Sequence, residues 1–234
     1  MLKINFIVDK KAEKRVATYF LTYRKTQPKK FDKYIKEFPE LNKVKEMNDK
    51  EARKFMFKKI DEYYKIKKKE LISVKSKIKS DWDKIDSAFY KRTTDLFDGH
   101  SWPKGKYTAV ISIFNMFRLK PGTKVFSIPS EDTGGYPNAD GYINYTTAHE
   151  LMHIFVEDYY KKHFKGKLSK EKYYDLLEVV NFIALNHPKV FELIKWSTWP
   201  YPEHEIYCNW AKEVYPKCKN MKQFFDKAVD YLKV

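Results

Sequence analysis

Apolar residues recur at helical spacing through much of the first hundred positions. Leu71, Val74, Ile78, Trp82, Ile85 and Phe89 follow one another at steps of three and four, one face of an amphipathic helix. Val16, Tyr19, Phe20 and Tyr23 repeat the pattern and predict a helix over about residues 10–25. Between them, Asn48 followed by Glu51 is a capping-box signature, opening a helix that runs to about Lys65. Residues 2–8 are apolar and read as a strand. The first hundred residues are thus mainly α-helical by pattern.

The texture changes near Gly99-His100-Ser101-Trp102-Pro103. Tyr107 to Phe114 is β-branched and reads as a strand, and Lys124 to Ile128 as another, with Pro121-Gly122 supplying turn chemistry between them. Ser130 to Gly141 holds three of the seven glycines and reads as a loop. Gly141 to Tyr145 reads as a short edge strand able to pair with an extended peptide. The expectation is an α+β protein: a basic, mainly helical region over residues 1–100, and a region with a small mixed sheet over 101–234. The two could equally form one continuous domain.

Composition narrows the function classes. With 43% hydrophobic and 17% aromatic residues among 234, the chain can bury a full core despite 33% charged residues. The net charge of +16 is uneven: residues 1–100 hold 28 Lys+Arg against 16 Asp+Glu, and residues 101–234 hold 19 against 15. Such a basic half could attract nucleic acid, an anionic membrane surface or an acidic partner. No nucleic-acid motif accompanies it, so a solvated lysine face is the plainer reading. No apolar run approaches membrane-spanning length, and Lys3 and Asn5 interrupt the N-terminal apolar stretch, so a soluble, cytoplasmic protein is expected. Cys208 and Cys218 have no metal or redox spacing and read as free thiols or a single disulfide.

The candidate chemistry lies in His149-Glu150-Leu151-Met152-His153. Residues at i and i+4 on a helix lie about 40° apart in rotation and about 6 Å apart in rise, so both imidazoles can converge on one ion. Glu150 lies beside the pair, where a general base belongs. Chance alone gives this spacing in about one such chain in a hundred. Ala148, Leu151, Met152, Ile154, Phe155 and Val156 make the helix largely apolar, and Thr146 or Thr147 could cap it. The structural alternative is a capping box from Thr147 to Glu150, with both histidines hydrogen-bonded in a core.

This run resembles the signature of the zincin metallopeptidases, over roughly residues 105–190. The resemblance implies Zn2+ bound by His149 and His153, with Glu150 as base. It also implies a core built of a small mixed sheet, the motif helix and a following antiparallel helix. The metzincin pattern is excluded, because Val156 and Tyr159 stand where it needs glycine and histidine. His163 is ten residues past His153, about 15 Å along a helix, and is too far. A gluzincin-like arrangement takes its third ligand from a glutamate on the following helix, and Glu178 is the only acid in Leu176 to Leu185. Gly166 suits a helix end and Ser169 a helix cap; His153 lies thirteen residues before Gly166 and Glu178 twelve after it. Equal rise on both arms puts the two at one height. Glu157, Asp158 and Asp175 are the alternatives. Asn181 would sit one turn higher, able to hold the second nitrogen of His149, while Phe182 stands where gluzincin-like proteins more often carry an acid.

Three such ligands leave room for a water that Glu150 can deprotonate. The oxyanion donor could be Tyr142, Tyr145, Tyr201, His204 or Tyr207, with His204 preferred. The leading expectation is a zinc-dependent metallopeptidase acting on a peptide or protein. The alternatives are a metal-binding interaction protein without turnover, and a basic nucleic-acid-binding protein.

Overall fold

The computed structural model describes residues 2–28, 31–32, 35, 39–113, 118–119, 122–130, 141–197 and 200–233. The chain is mixed α and β, and mostly helical. In order come β1 (Ile4–Ile7), α1 (Lys10–Thr26), α2 (Asp49–Asp83), α3 (Asp86–Leu96), β2 (Tyr107–Ser112), β3 (Arg118–Leu119) and β4 (Val125–Pro129). They are followed by α4 (Tyr142–His163), α5 (Lys170–Asn186), α6 (Pro188–Ile194), α7 (Glu205–Val214) and α8 (Met221–Leu232). Two compact units emerge: Ile4–Lys79 with Tyr107–Asn138, and Ser80–Lys106 with Ala139–Val234 and Met1–Lys3. They interleave along the chain and do not follow the division near residue 100 that composition suggests. The strands and the motif helix fall in different units, so neither unit by itself groups the sheet with that helix.

In the first unit the strand order is β1-β2-β4-β3. β1, β2 and β4 run parallel, with Ile4 opposite Tyr107 and Ala109 opposite Phe126, and the short β3 is antiparallel to β4. β2 is buried at nearly every position, as a central parallel strand should be. Asp9 caps α1 by accepting the Lys11 and Ala12 amides. Asn48 and Glu51 form the expected reciprocal box, Glu51 N to Asn48 Oδ1 at 3.0 Å and Asn48 N to Glu51 Oε2 at 3.2 Å.

α2 does not end near Lys65; it runs 35 residues in all, from Asp49 to Asp83. The lysine cluster contains no helix breaker, the Lys59–Glu62 (2.9 Å) and Lys67–Glu70 (2.5 Å) pairs support it, and Ile60, Tyr64, Leu71 and Ile78 keep one buried face across it. The interruption falls instead at Lys84–Ile85, and it leaves the Trp82 and Phe89 rings 5.3 Å apart. Phe114, Pro121 and most of the Ser130–Gly141 loop lie outside the described residues.

The second unit is helical. Gly141 to Tyr145, read above as an edge strand, is the first turn of α4: the Gly141 carbonyl accepts the Tyr145 amide at 2.8 Å. No strand remains there to pair with a peptide. The glycine answers a different demand, because a Cβ on Gly141 would stand 2.7 Å from the Ile194 carbonyl oxygen. Thr146 and Thr147 are consequently inside the helix, not caps, and donate to the Tyr142 (2.9 Å) and Ile143 (2.8 Å) carbonyls. A Thr147–Glu150 capping box is thereby excluded. Phe155 anchors α4 in an aromatic core with Phe97 at 5.0 Å and Trp102 at 4.5 Å between ring centres. Both cysteines are free thiols. Among the described residues, no helix is long and apolar enough to cross a membrane.

Candidate metal centre

α4 stops where sequence placed its end. His163 is its last residue, Gly166 takes the left-handed φ of +78°, and Ser169 caps α5 by accepting the Lys172 amide. The two helices run antiparallel, held near the turn by the Tyr160 hydroxyl on the Leu168 amide (3.2 Å) and by the Tyr160 and Tyr173 rings 4.7 Å apart. Further from the turn this register brings three side chains together. His153 Nε2 lies 2.9 Å from His149 Nε2 and 3.4 Å from Glu178 Oε1, and His149 Nε2 lies 3.8 Å from Glu178 Oε2. Ligands in a zinc tetrahedron with bonds of about 2.0–2.1 Å are separated by about 3.3–3.4 Å, a value these three distances bracket. The three side chains could therefore hold a metal ion.

The site is nearly enclosed. The side chains of His149, His153 and Glu178 are 11%, 12% and 7% exposed. Burial, and secondarily His153, lower the His149 imidazole to about 4, so it is neutral at physiological pH and keeps its ligating lone pair. Burial opposes ionisation of Glu178, yet His153, His149, a hydrogen bond from Tyr174 and the nearby His204 together hold its carboxyl below the usual range. Glu150, on the same helix and 4% exposed, is pushed up to about 8 by burial and by the Glu178 charge. One site thus contains two carboxyls with opposed proton affinities: Glu178 stays charged and Glu150 sits close to neutrality.

Asn181 comes to the level of His149, as its place on α5 requires, but its Nδ2 donates to the His149 backbone carbonyl at 3.1 Å and not to the ring. The ring nitrogen Nδ1 faces the Tyr145 hydroxyl at 3.4 Å. The alternative acids are engaged elsewhere: Glu157 with Lys161 (2.5 Å), Asp158 with His100 (3.0 Å) and Lys162 (2.9 Å), and Asp175 with His204 (3.1 Å).

His204 is 4% exposed, and the Asp175 contact leaves neither of its ring nitrogens hydrogen-bonded among the described residues. It lies close enough to influence Glu178 but is not one of the three clustered groups. Tyr201 is 44% exposed as a whole residue, while burial around its hydroxyl and the nearby Glu178 charge raise the phenol pKa above its ordinary 10.0. Tyr207 instead receives Lys172 Nζ at 3.4 Å, and Tyr142 packs on Trp196 at 5.4 Å. Tyr174 was missed by sequence reasoning. Its place four residues before Glu178, one turn along α5, is the signal that could have found it. Compared with protein-family models, curated proteins and solved structures, the chain matches none.

Proposed function

We propose that the chain is a zinc-dependent metallopeptidase of the zincin type, gluzincin-like in its ligand set. The observation that carries this reading is the convergence of His149 Nε2, His153 Nε2 and Glu178 at separations of 2.9–3.8 Å inside a nearly buried site. These three residues would hold the ion. When bound, zinc would polarise a carbonyl oxygen and acidify a water.

The remaining work belongs to the chain's own groups. Glu150 is next to His149 in sequence yet outside the ligand cluster, and a buried carboxyl with a proton affinity near neutrality can accept a proton and return it to a leaving amine. A donor for a developing oxyanion would come from His204, whose buried ring nitrogens have no hydrogen-bond partner among the described residues, or from Tyr201, whose hydroxyl feels the Glu178 charge. His204 and Asp175 would also help fix the charge around Glu178. The fit to a peptide or protein substrate rests on the likeness of the motif to the zincins.

Zinc analysis coupled to substitution tests the reading. About one equivalent per chain is expected, lost in His149→Ala and His153→Ala. Glu150→Gln should keep the metal and slow peptide cleavage by about 100-fold or more. Cleavage by Glu150→Gln at the parental rate would refute the assigned base.

A further inference from the structure

The first unit contains a cavity of about 710 Å3 at the carboxyl end of β1, lined by Ile7, Val8, Lys10, Tyr64, Lys65 and Lys68. The carboxyl ends of parallel strands are where open α/β sheets most often take ligands. Two carboxylates also border the cavity, and both are occupied. Asp9 accepts the Lys11 (2.7 Å) and Ala12 (3.2 Å) amides, and Asp61 is ion-paired with Lys10 (2.9 Å) and Lys14 (2.7 Å). Lys65 and Lys68, by contrast, have no carboxylate partner among the described residues.

The wall behind them is fixed. Glu13, fully buried, accepts the Ser112 hydroxyl at 2.9 Å and the Tyr64 hydroxyl at 3.4 Å, so the Tyr64 hydroxyl is held inward. Charge is distributed to match. The first unit holds 27 Lys+Arg against 13 Asp+Glu, a net +14, whereas the second holds 20 against 18, a net +2. A field of that sign concentrates anions at the mouth of a cavity with unpaired ammonium groups.

We propose that this cavity binds a phosphate-bearing small molecule, with Lys65 and Lys68 on the phosphate and Ile7 and Val8 against its less polar part. The site is independent of the metal centre and of the peptidase reading. Phosphate can arrive free or on a nucleoside, and titration of the full chain with inorganic phosphate and with adenosine monophosphate separates the two. Calorimetry at low ionic strength should show one saturable site for which the two compete. Tighter binding of the nucleotide would place its nucleoside on the Ile7–Val8 wall; equal affinity would overturn the role given to Ile7 and Val8.

Lys65→Ala/Lys68→Ala should weaken binding about tenfold or more, since each lysine–phosphate contact is a charge-assisted hydrogen bond. Alanine favours helix, so α2 should persist in this variant. Lys54→Ala/Lys77→Ala removes the same charge from the same helix outside the cavity and should weaken binding less than about threefold. Absence of saturable binding by either probe would overturn the proposal. So would equal losses in the two double variants, which would mean a diffuse basic surface. Binding of a single-stranded oligonucleotide without any binding of the nucleotide would also overturn it, in favour of a polyanion partner.

Discussion

On the proposed reading, removing zinc from the His149–His153–Glu178 site should loosen the helical hairpin that carries those residues, by an amount the site itself sets. Apparent zinc-binding energies of about 10–16 kcal/mol are shared among four ligands in small zinc domains, so one ligand is worth about 3–4 kcal/mol. That is two to three orders of magnitude in Kd. With free zinc about a thousandfold above Kd, linkage stabilises the native unit by about 4 kcal/mol. For a unit of this size that is about 12–16 °C in Tm, removed by chelator and restored by added zinc. Glu178→Ala leaves two imidazoles and no carboxylate among the clustered groups, so the same zinc concentration would lie only about one- to tenfold above the new Kd. The metal-dependent shift should then fall to about 1–6 °C. Thermal unfolding followed by circular dichroism, with and without chelator, measures both. An unchanged Tm on chelation, or a full shift retained by Glu178→Ala, would refute the three-ligand site.

Tyr174→Phe removes the hydroxyl that holds Glu178 and should weaken zinc binding about tenfold, read by competition with a chromophoric chelator; an unaltered affinity would show that the hydroxyl does not orient the ligand. Gly141→Ala places a methyl group 2.7 Å from the Ile194 carbonyl and should cost about 1–3 kcal/mol, seen as a lower urea midpoint. Burial lowers the His100 pKa from its ordinary 6.5, despite the Asp158 contact, so the folded state binds this proton less readily than the unfolded chain. Its contribution is therefore present above pH 6.5 and is lost as pH falls below it; His100→Gln should flatten the wild-type decline in urea midpoint over that range, and parallel curves would exclude His100 as the cause.

Local signals in the sequence proved readable where the physics is local. The Asn48–Glu51 box, the Ser169 cap and the left-handed Gly166 each depend on a few neighbouring residues, and each stands where its pattern puts it. The level of Glu178 was accessible for the same reason, because two helices of fixed rise leave a short turn at equal steps. Elsewhere the pattern misled. Lys65 to Lys69 looked like a boundary, but charge does not break a helix whose buried face continues through it. Gly141 to Tyr145 had strand composition, while the decisive constraint was a backbone carbonyl more than fifty residues downstream. Asn181 was placed on the correct turn but not on the correct atom, since helix rise fixes height and not side-chain torsion. The interleaving of the two units depends on β1 pairing with β2, a partnership no local pattern encodes.

That pairing has a cost in time. Ile4 must wait for Tyr107, about a hundred residues later in synthesis, and at about 5–20 residues per second the first strand spends some 5–20 s with no neighbour to bond. During that interval α1 and the long α2 are the parts able to form, since helices close their hydrogen bonds within themselves. The lysines of α2, exposed on the nascent chain, would keep such an intermediate apart from its own copies while the missing strands emerge.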